Sequence, residues 1–377
     1  MGVFRSSFSR FWAMLVKEFI QVRRDRVSLA TMIIVPLMQL MLFGFAINTT
    51  PRHMPTAVLV QEDSDVVRSI LAAIRNTAFF EVRIVARTEA EIEYLLRSGQ
   101  VLFVVEIPTG FERAVRRGEM PALLISADAT DPVATASAFG ALEGVVQSAL
   151  MHDRVISPNG KTPPPFEIRL HRRYNPAGDS QINIVPGLLG TILTMTTLIF
   201  TALSVTREIE RGTMESLLAM PIRPVEIMLG KILPYVGVAF VQAILIIAGG
   251  YFVFDVPIIG SLPLLAGFLV LFIAANLSMG YTFSTLAQNQ LQAIQMSMMF
   301  FLPNILLSGF MFPFSGMPLW ARVIGECLPL THFLRIARGI MLKGAGVSDL
   351  AQEALALAGL MLIAMMIAVT RFRKTLD

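Results

Sequence analysis

Charge is scarce in this sequence and cysteine almost absent. Only 15% of its 377 residues are Asp, Glu, Lys or Arg, while 54% are hydrophobic and mean hydropathy is +0.65. That balance excludes an ordinary soluble protein. The single cysteine, Cys327, excludes an intramolecular disulfide. Also missing is any set of residues at metal-ligand spacing, since His53, His152 and His171 stand far apart. No Ser/His/Asp or Cys/His cluster stands out, and there is no Walker sequence. Gly160-Lys161-Thr162 looks like the end of a phosphate-binding loop, but Val155 occupies the place of its first glycine and three prolines follow. The residues therefore give no catalytic, cofactor or metal site, and the chain reads as something other than an enzyme.

The charge that is present is unevenly placed. The net charge is +4, yet 14 Lys/Arg face 16 Asp/Glu between Arg52 and Asp179. The basic excess sits around the apolar runs, as a membrane protein places it, and nucleic acid is a poor partner. Phe4, Phe8, Phe11, Trp12, Leu15, Val16, Phe19 and Ile20 recur at helical spacing among Arg5, Arg10, Lys17, Arg23, Arg24 and Arg26. This is an amphipathic helix for the cytoplasmic leaflet.

Charge-free runs long enough to cross a bilayer follow. The chain divides into a connecting helix (1–26), a first span (27–48), an inserted domain (49–180) and a second span (181–206). A charged loop (207–231), spans at 232–254, 262–286 and 293–314, and a re-entrant or interfacial segment (315–349) come next. A last span (350–370) and a short tail (371–377) close it. Basic flanks put both termini in the cytoplasm and the inserted domain outside. The charge-free cores of these six spans hold no ionisable group, which speaks against ion-coupled transport.

The inserted block has soluble character. TAVLVQED (56–63), FFEVRIVA (79–86), VLFVVEIP (101–108) and PALLISAD (121–128) read as strands, with FEIRLHRRYN (166–175) as a last one. Helices fall between them at 65–76, 88–97 and 111–117, and a longer one at 132–156. Such alternation predicts an α/β domain with a largely parallel sheet. The fold class is thus an α-helical polytopic membrane protein of six transmembrane helices with an inserted extracytoplasmic α/β domain. The Pro/Gly-rich FMFPFSGMP suggests a broken helix, and Thr331–Leu342 an interfacial helix whose Arg335, Arg338 and Lys343 reach out to headgroups.

The stretch REIERGTMESLLAMPIRPVEIMLGKILPY (207–235) is a charged island between two apolar runs. It reads as two helices broken at Pro221, and so as a surface presented to a partner. This island resembles the coupling-helix segment of the type 2 ATP-binding-cassette exporter permeases. The resemblance is carried by Glu208, Glu210, Gly212, Thr213, Glu215, Leu217, Leu218 and Pro221, with Glu226, Gly230 and Lys231 beyond. Lys17-Glu18 and Arg24-Asp25 in the connecting helix agree, as does LPLTHFLRIARGIMLKG (328–344), and the order of parts matches along the whole chain. It is most similar to the bacterial inner-membrane subgroup with a large periplasmic domain, often assigned to drug or amphiphile export.

The resemblance implies that Glu208–Leu218 sits in a cleft of a separate ATPase subunit that alone binds ATP. It implies a second permease subunit, alike or different, and a periplasmic domain that covers the exit or meets a membrane-fusion adaptor. Two other classes remain open on the residues alone: a membrane-anchored extracytoplasmic binding or sensor protein, and a secondary transporter.

Overall fold

The computed structural model describes residues 52–148, 165–212 and 224–374. The connecting helix, the first span, the phosphate-loop look-alike and the middle of the charged island lie outside the described residues. Five strands form one sheet: β1 (Met54–Val60), β2 (Phe80–Val85), β3 (Phe103–Ile107), β4 (Ala122–Asp128) and β5 (Glu167–Arg173), in the order β2-β1-β3-β4-β5. Between them run α1 (Asp65–Asn76), α2 (Glu89–Arg97), α3 (Phe111–Arg117) and α4 (Pro132–Ser148). Local chemistry sets these boundaries. The Ser64 hydroxyl accepts from the Val67 N–H to start α1, and the Thr88 hydroxyl accepts from the Glu91 N–H to start α2.

Three of the four strand pairings are parallel, as expected, but β3 and β4 are antiparallel. That reversal has a geometric result. Met54, where the chain enters the sheet, and Arg173, where it leaves, lie at the same margin as Phe103 and Asp128. One face of the sheet is covered by α1, α3 and α4 around Phe103, Ile70, Phe111 and Phe166. The other is covered by α2 through Ile92, Leu95 and Leu96. Phe103 anchors the first face, edge-on to Phe80 at 5.2 Å and to Phe139 at 6.5 Å.

The helical part comprises α5 (Ser180–Glu210), α6 (Pro224–Phe254), α7 (Leu262–Leu286), α8 (Gln290–Leu307), α9 (Leu319–Glu326), α10 (Pro329–Lys343) and α11 (Ala351–Lys374). Among the described residues, four segments are long and apolar enough to cross a membrane: Gln181–Glu208, Tyr235–Phe254, Leu262–Leu286 and Ala351–Ala368. Leu245, Phe252, Leu355 and Met366 on α6 and α11 are each more than 60% exposed. Apolar surface on that scale belongs against lipid rather than water, and the chain is a multi-pass membrane protein.

Several buried hydroxyls within α5 are satisfied inside the helix, Thr201 being an exception. Thr191, Thr194 and Thr197 each donate to the carbonyl four residues back, which removes the cost of carrying them through an apolar medium. Close approach of α7 to α5 depends on Gly280, where a Cβ would lie 2.7 Å from the Leu198 carbonyl oxygen. Phe272 of α7 stacks on Phe333 of α10 at 4.1 Å. The fifth apolar run is broken: α8 ends at Leu307, Gly309 takes φ +84°, and a short 3-10 turn (Phe314–Gly316) leads into α9.

Two expectations are corrected here. Helix α10 is not interfacial, because residues along most of its length, including Leu330, Phe333, Ile336 and Ile340, are buried against α5, α7 and α11. Its spacing is amphipathic, but its polar side chains are engaged by protein: Arg335 by Glu326 and Glu353, Arg338 by the Gly309 carbonyl, and Lys343 by Asp128 of the sheet. The idea that no ionisable group enters a span also gives way at Glu353, in the first turn of α11. A charge-free window starting at Ala354 excludes it by one residue.

Candidate functional site

The charged island opens as the last turns of α5. The Thr206 hydroxyl donates to the Ala202 carbonyl, Glu208 and Glu210 follow, and the Arg211 N–H donates to the Arg207 carbonyl at 3.1 Å. Gly212 then turns the chain at φ +68°, a conformation that glycine adopts without strain. Glu210 reaches across to α8: its carboxylate accepts from the Gln290 backbone N–H at 3.2 Å and from its side-chain Nε2 at 2.9 Å. Gln290 is the first residue of α8, and the preceding Asn289 accepts from the Gln292 N–H. Glu210 therefore places negative charge on a helix N-terminus and satisfies a donor that has no partner within its own helix.

Of the residues expected to couple to an ATPase, the structure places Glu208, Glu210 and Gly212 together at this end. Thr213, Glu215, Leu217, Leu218 and Pro221 lie outside the described residues, as do Lys17, Glu18, Arg24 and Asp25 of the connecting helix. Gln290 joins the cluster unforeseen. The polar run Gln288–Gln292 marks a turn in the sequence, but nothing local shows that Glu210, 80 residues earlier, would cap it.

The sheet end of the bundle carries a second cluster. Lys343, at the last turn of α10, pairs with Asp128 at the end of β4, both nearly buried, and Nζ lies 5.6 Å over the Tyr174 ring. Burial, and then the Asp128 charge, push the Tyr174 hydroxyl up to about 12. Arg97 of α2 meets Asp349 at 3.1 Å. These two pairs fasten the sheet margin to the helices. Arg335 is held by Glu326 at 2.6 Å and Glu353 at 3.0 Å, and lies 4.6 Å over the Phe314 ring.

His332 completes that cluster, although no spacing pattern singles it out. Its Nδ1 is 2.6 Å from Glu353 Oε2, and its Nε2 is 2.9 Å from the Glu326 carbonyl. Both ring nitrogens face acceptors, so only the protonated ring can donate to both. Burial pushes this imidazole down, yet the Glu353 and Glu326 hydrogen bonds and the Glu353 charge outweigh burial and raise its pKa above 6.5. A raised pKa stabilises the fold most at low pH, with the contribution lost as pH rises through the folded value. The melting temperature of the wild type should therefore exceed that of His332→Gln by more at pH 6 than at pH 9. A gap independent of pH would show that the ring is neutral.

Between the sheet margin and α9–α10 lies a cavity of about 390 Å³. It is lined by Arg83, Arg97, Arg322, Arg335, Arg338 and Lys343, together with Leu102, Phe314 and Leu334. Among the described residues, no group of His, Cys, Asp or Glu could hold a metal ion.

Comparison with known proteins meets this geometry from another side. A family profile described as ABC-2 family transporter protein matches residues 26–370. The probable multidrug ABC transporter permease YbhS of Escherichia coli K12 is 30% identical over 341 residues, covering 90% of each chain. YbhR of the same strain, named likewise, is 27% identical over 340 residues, 90% of this chain and 92% of its own. Its inner membrane transport permease YhhJ is 28% identical over 359 residues, 90% of this chain and 93% of its own. With lipid-facing helices, an inserted sheet domain and a family match that runs almost end to end, the chain belongs to the ABC-2 transporter family, as a membrane subunit.

Proposed function

We propose that this chain is the permease of an ATP-binding-cassette exporter in the bacterial inner membrane. Two such permeases, identical or related, frame the path. A separate ATPase subunit binds ATP and grips the segment 207–221, with the connecting helix bracing beside it. Six spans, cytoplasmic termini and a periplasmic sheet domain complete the arrangement, and that domain is free to meet a membrane-fusion adaptor. The cargo is a drug-like or amphiphilic molecule, in keeping with the multidrug names of YbhS and YbhR.

The observation that carries this reading is the Glu210–Gln290 contact. Helix α5 runs unbroken over 31 residues from the sheet domain to that contact, roughly 45 Å at 1.5 Å per residue. A displacement of the turn at Arg211–Gly212 thus acts on α5 directly and on α8 through Glu210, which is how a remote ligand biases a two-state bundle.

The test is purification of the intact protein in mild detergent from its own host. A nucleotide-binding subunit should come with it, its ATPase activity stimulated by the permease. Glu215→Lys, which reverses a charge in the gripped segment, should abolish that stimulation while membrane insertion is unchanged. Undiminished export by this variant, or a cysteine at Ser216 labelled from the periplasm, would overturn the docking role.

A further inference from the structure

The cavity at the sheet margin has six basic side chains against three acidic ones among its described lining. Each acidic group is already engaged. Asp128 holds Lys343 and accepts from the Thr130 N–H and hydroxyl. Asp131 accepts from the amides of Val133 and Ala134 at the start of α4, and Glu353 is divided between His332 and Arg335.

Among the described residues of the cavity, two guanidiniums form no ion pair, although the charges of Asp131 and Asp128 act on Arg338 and that of Glu81 on Arg322. Arg322 donates to the Met317 carbonyl at 2.8 Å and the Ser315 carbonyl at 2.5 Å. Arg338 donates to the Gly309 carbonyl at 3.3 Å through both terminal nitrogens, and its Nε is buried with no acceptor among the described residues. Carbonyl dipoles orient these groups but do not cancel their charge. Burial pushes the pKa of both down, as it does for a cation whose charge is poorly compensated.

A buried guanidinium whose nearby carboxylates do not outweigh its burial gains from a further anion in the cleft. The guanidinium fork matches the oxygens of phosphate, sulfonate or carboxylate. Phe314, Leu334 and Leu102 supply apolar wall beside the two forks, and the volume falls within the range of small-molecule sites. We propose that this cavity binds the oxyanion head of an amphiphile, gripped by Arg322 and Arg338 with the first carbons of its tail against Phe314 and Leu334. The export reading gives the ligand its purpose; binding itself does not depend on it.

The test uses the full chain in uncharged detergent, without ATPase, titrated with dodecyl phosphate, dodecanol, dodecyltrimethylammonium and inorganic phosphate. Dodecyl phosphate should bind at least about thirtyfold more tightly than the neutral or cationic tails, and Arg322→Gln or Arg338→Gln should each remove about that factor. The Lys variants should retain part of it. Displacement of dodecyl phosphate by inorganic phosphate supports recognition of the head alone, while resistance to displacement supports a site that also reads the tail. Should the Gln variants fail to fold, the headgroup series on the wild type decides: equal affinity for the three tails overturns the proposal. Headgroup-selective binding without a captured ATPase would overturn the coupling reading alone. A captured ATPase without selectivity would overturn this site alone.

Discussion

Lys343→Met should destabilise the protein by about 3–5 kcal/mol, and the double variant Lys343→Met/Asp128→Leu should recover most of that loss. The reasoning concerns what is left behind. The Lys343 side chain is 8% exposed and that of Asp128 is 2% exposed. Removing the ammonium strands a carboxylate at the end of β4, where only Thr130 still donates to it. An unpaired buried charge costs several kcal/mol, whereas two apolar side chains of similar volume cost little. Thermal unfolding in nanodiscs provides the measurement. Hydrogen exchange should also rise first in β4 and at the end of α2, where the Leu96 carbonyl accepts from Lys343. Equal destabilisation of the single and double variants would show that the pair is solvated rather than buried.

Gly280→Leu should break the packing of α5 on α7, costing about 3 kcal/mol. The obstacle is backbone, not side chain. A Cβ at this position meets the Leu198 carbonyl oxygen at 2.7 Å and the Thr201 Cβ at 3.0 Å. No rotamer relieves that contact, so α5 and α7 must separate. Without a hydrophobic drive between helices in lipid, close approach at small residues is what holds such a pair together. Gly267 on the same helix is the control, because a Cβ there meets nothing within 4 Å. Gly267→Leu should be close to neutral, and comparable losses at the two positions would refute the packing argument.

Much of the sheet domain is legible in the amino-acid sequence. The expected helices at 65–76 and 111–117 coincide with α1 and α3, and the four expected strands at 56–63, 79–86, 101–108 and 121–128 overlap β1 to β4. These elements declare themselves locally, by β-branched runs and by caps such as Ser64 and Thr88. The antiparallel β3–β4 pairing is not legible, because strand order is a matter of partners distant in sequence. Helix α10 misleads for a related reason. Its Arg335, Arg338 and Lys343 look like a basic face, yet Arg335 pairs with Glu326 and Glu353, 9 and 18 residues away, and Lys343 with Asp128, 215 residues away. Of the proposed coupling surface, the charge pattern marks Glu208 and Glu210 and the family resemblance adds Gly212, but the bond from Glu210 to Gln290 spans 80 residues and leaves no periodic trace. His332 belongs to no spacing pattern at all.

The short join between the sheet and α5 has a mechanical meaning. Asn175, fully buried, donates through Nδ2 to the Asp179 carbonyl and accepts from the Asp179 N–H, locking the elbow between β5 and the long helix. A locked elbow transmits torque. Any twist given to α5 at Glu210 must turn the sheet with it, and since the chain enters and leaves the sheet at one margin, that rotation pivots about the same edge. Such a pivot would widen or pinch the arginine-lined cavity beneath it, making the sheet domain the far arm of a crank rather than a passive attachment.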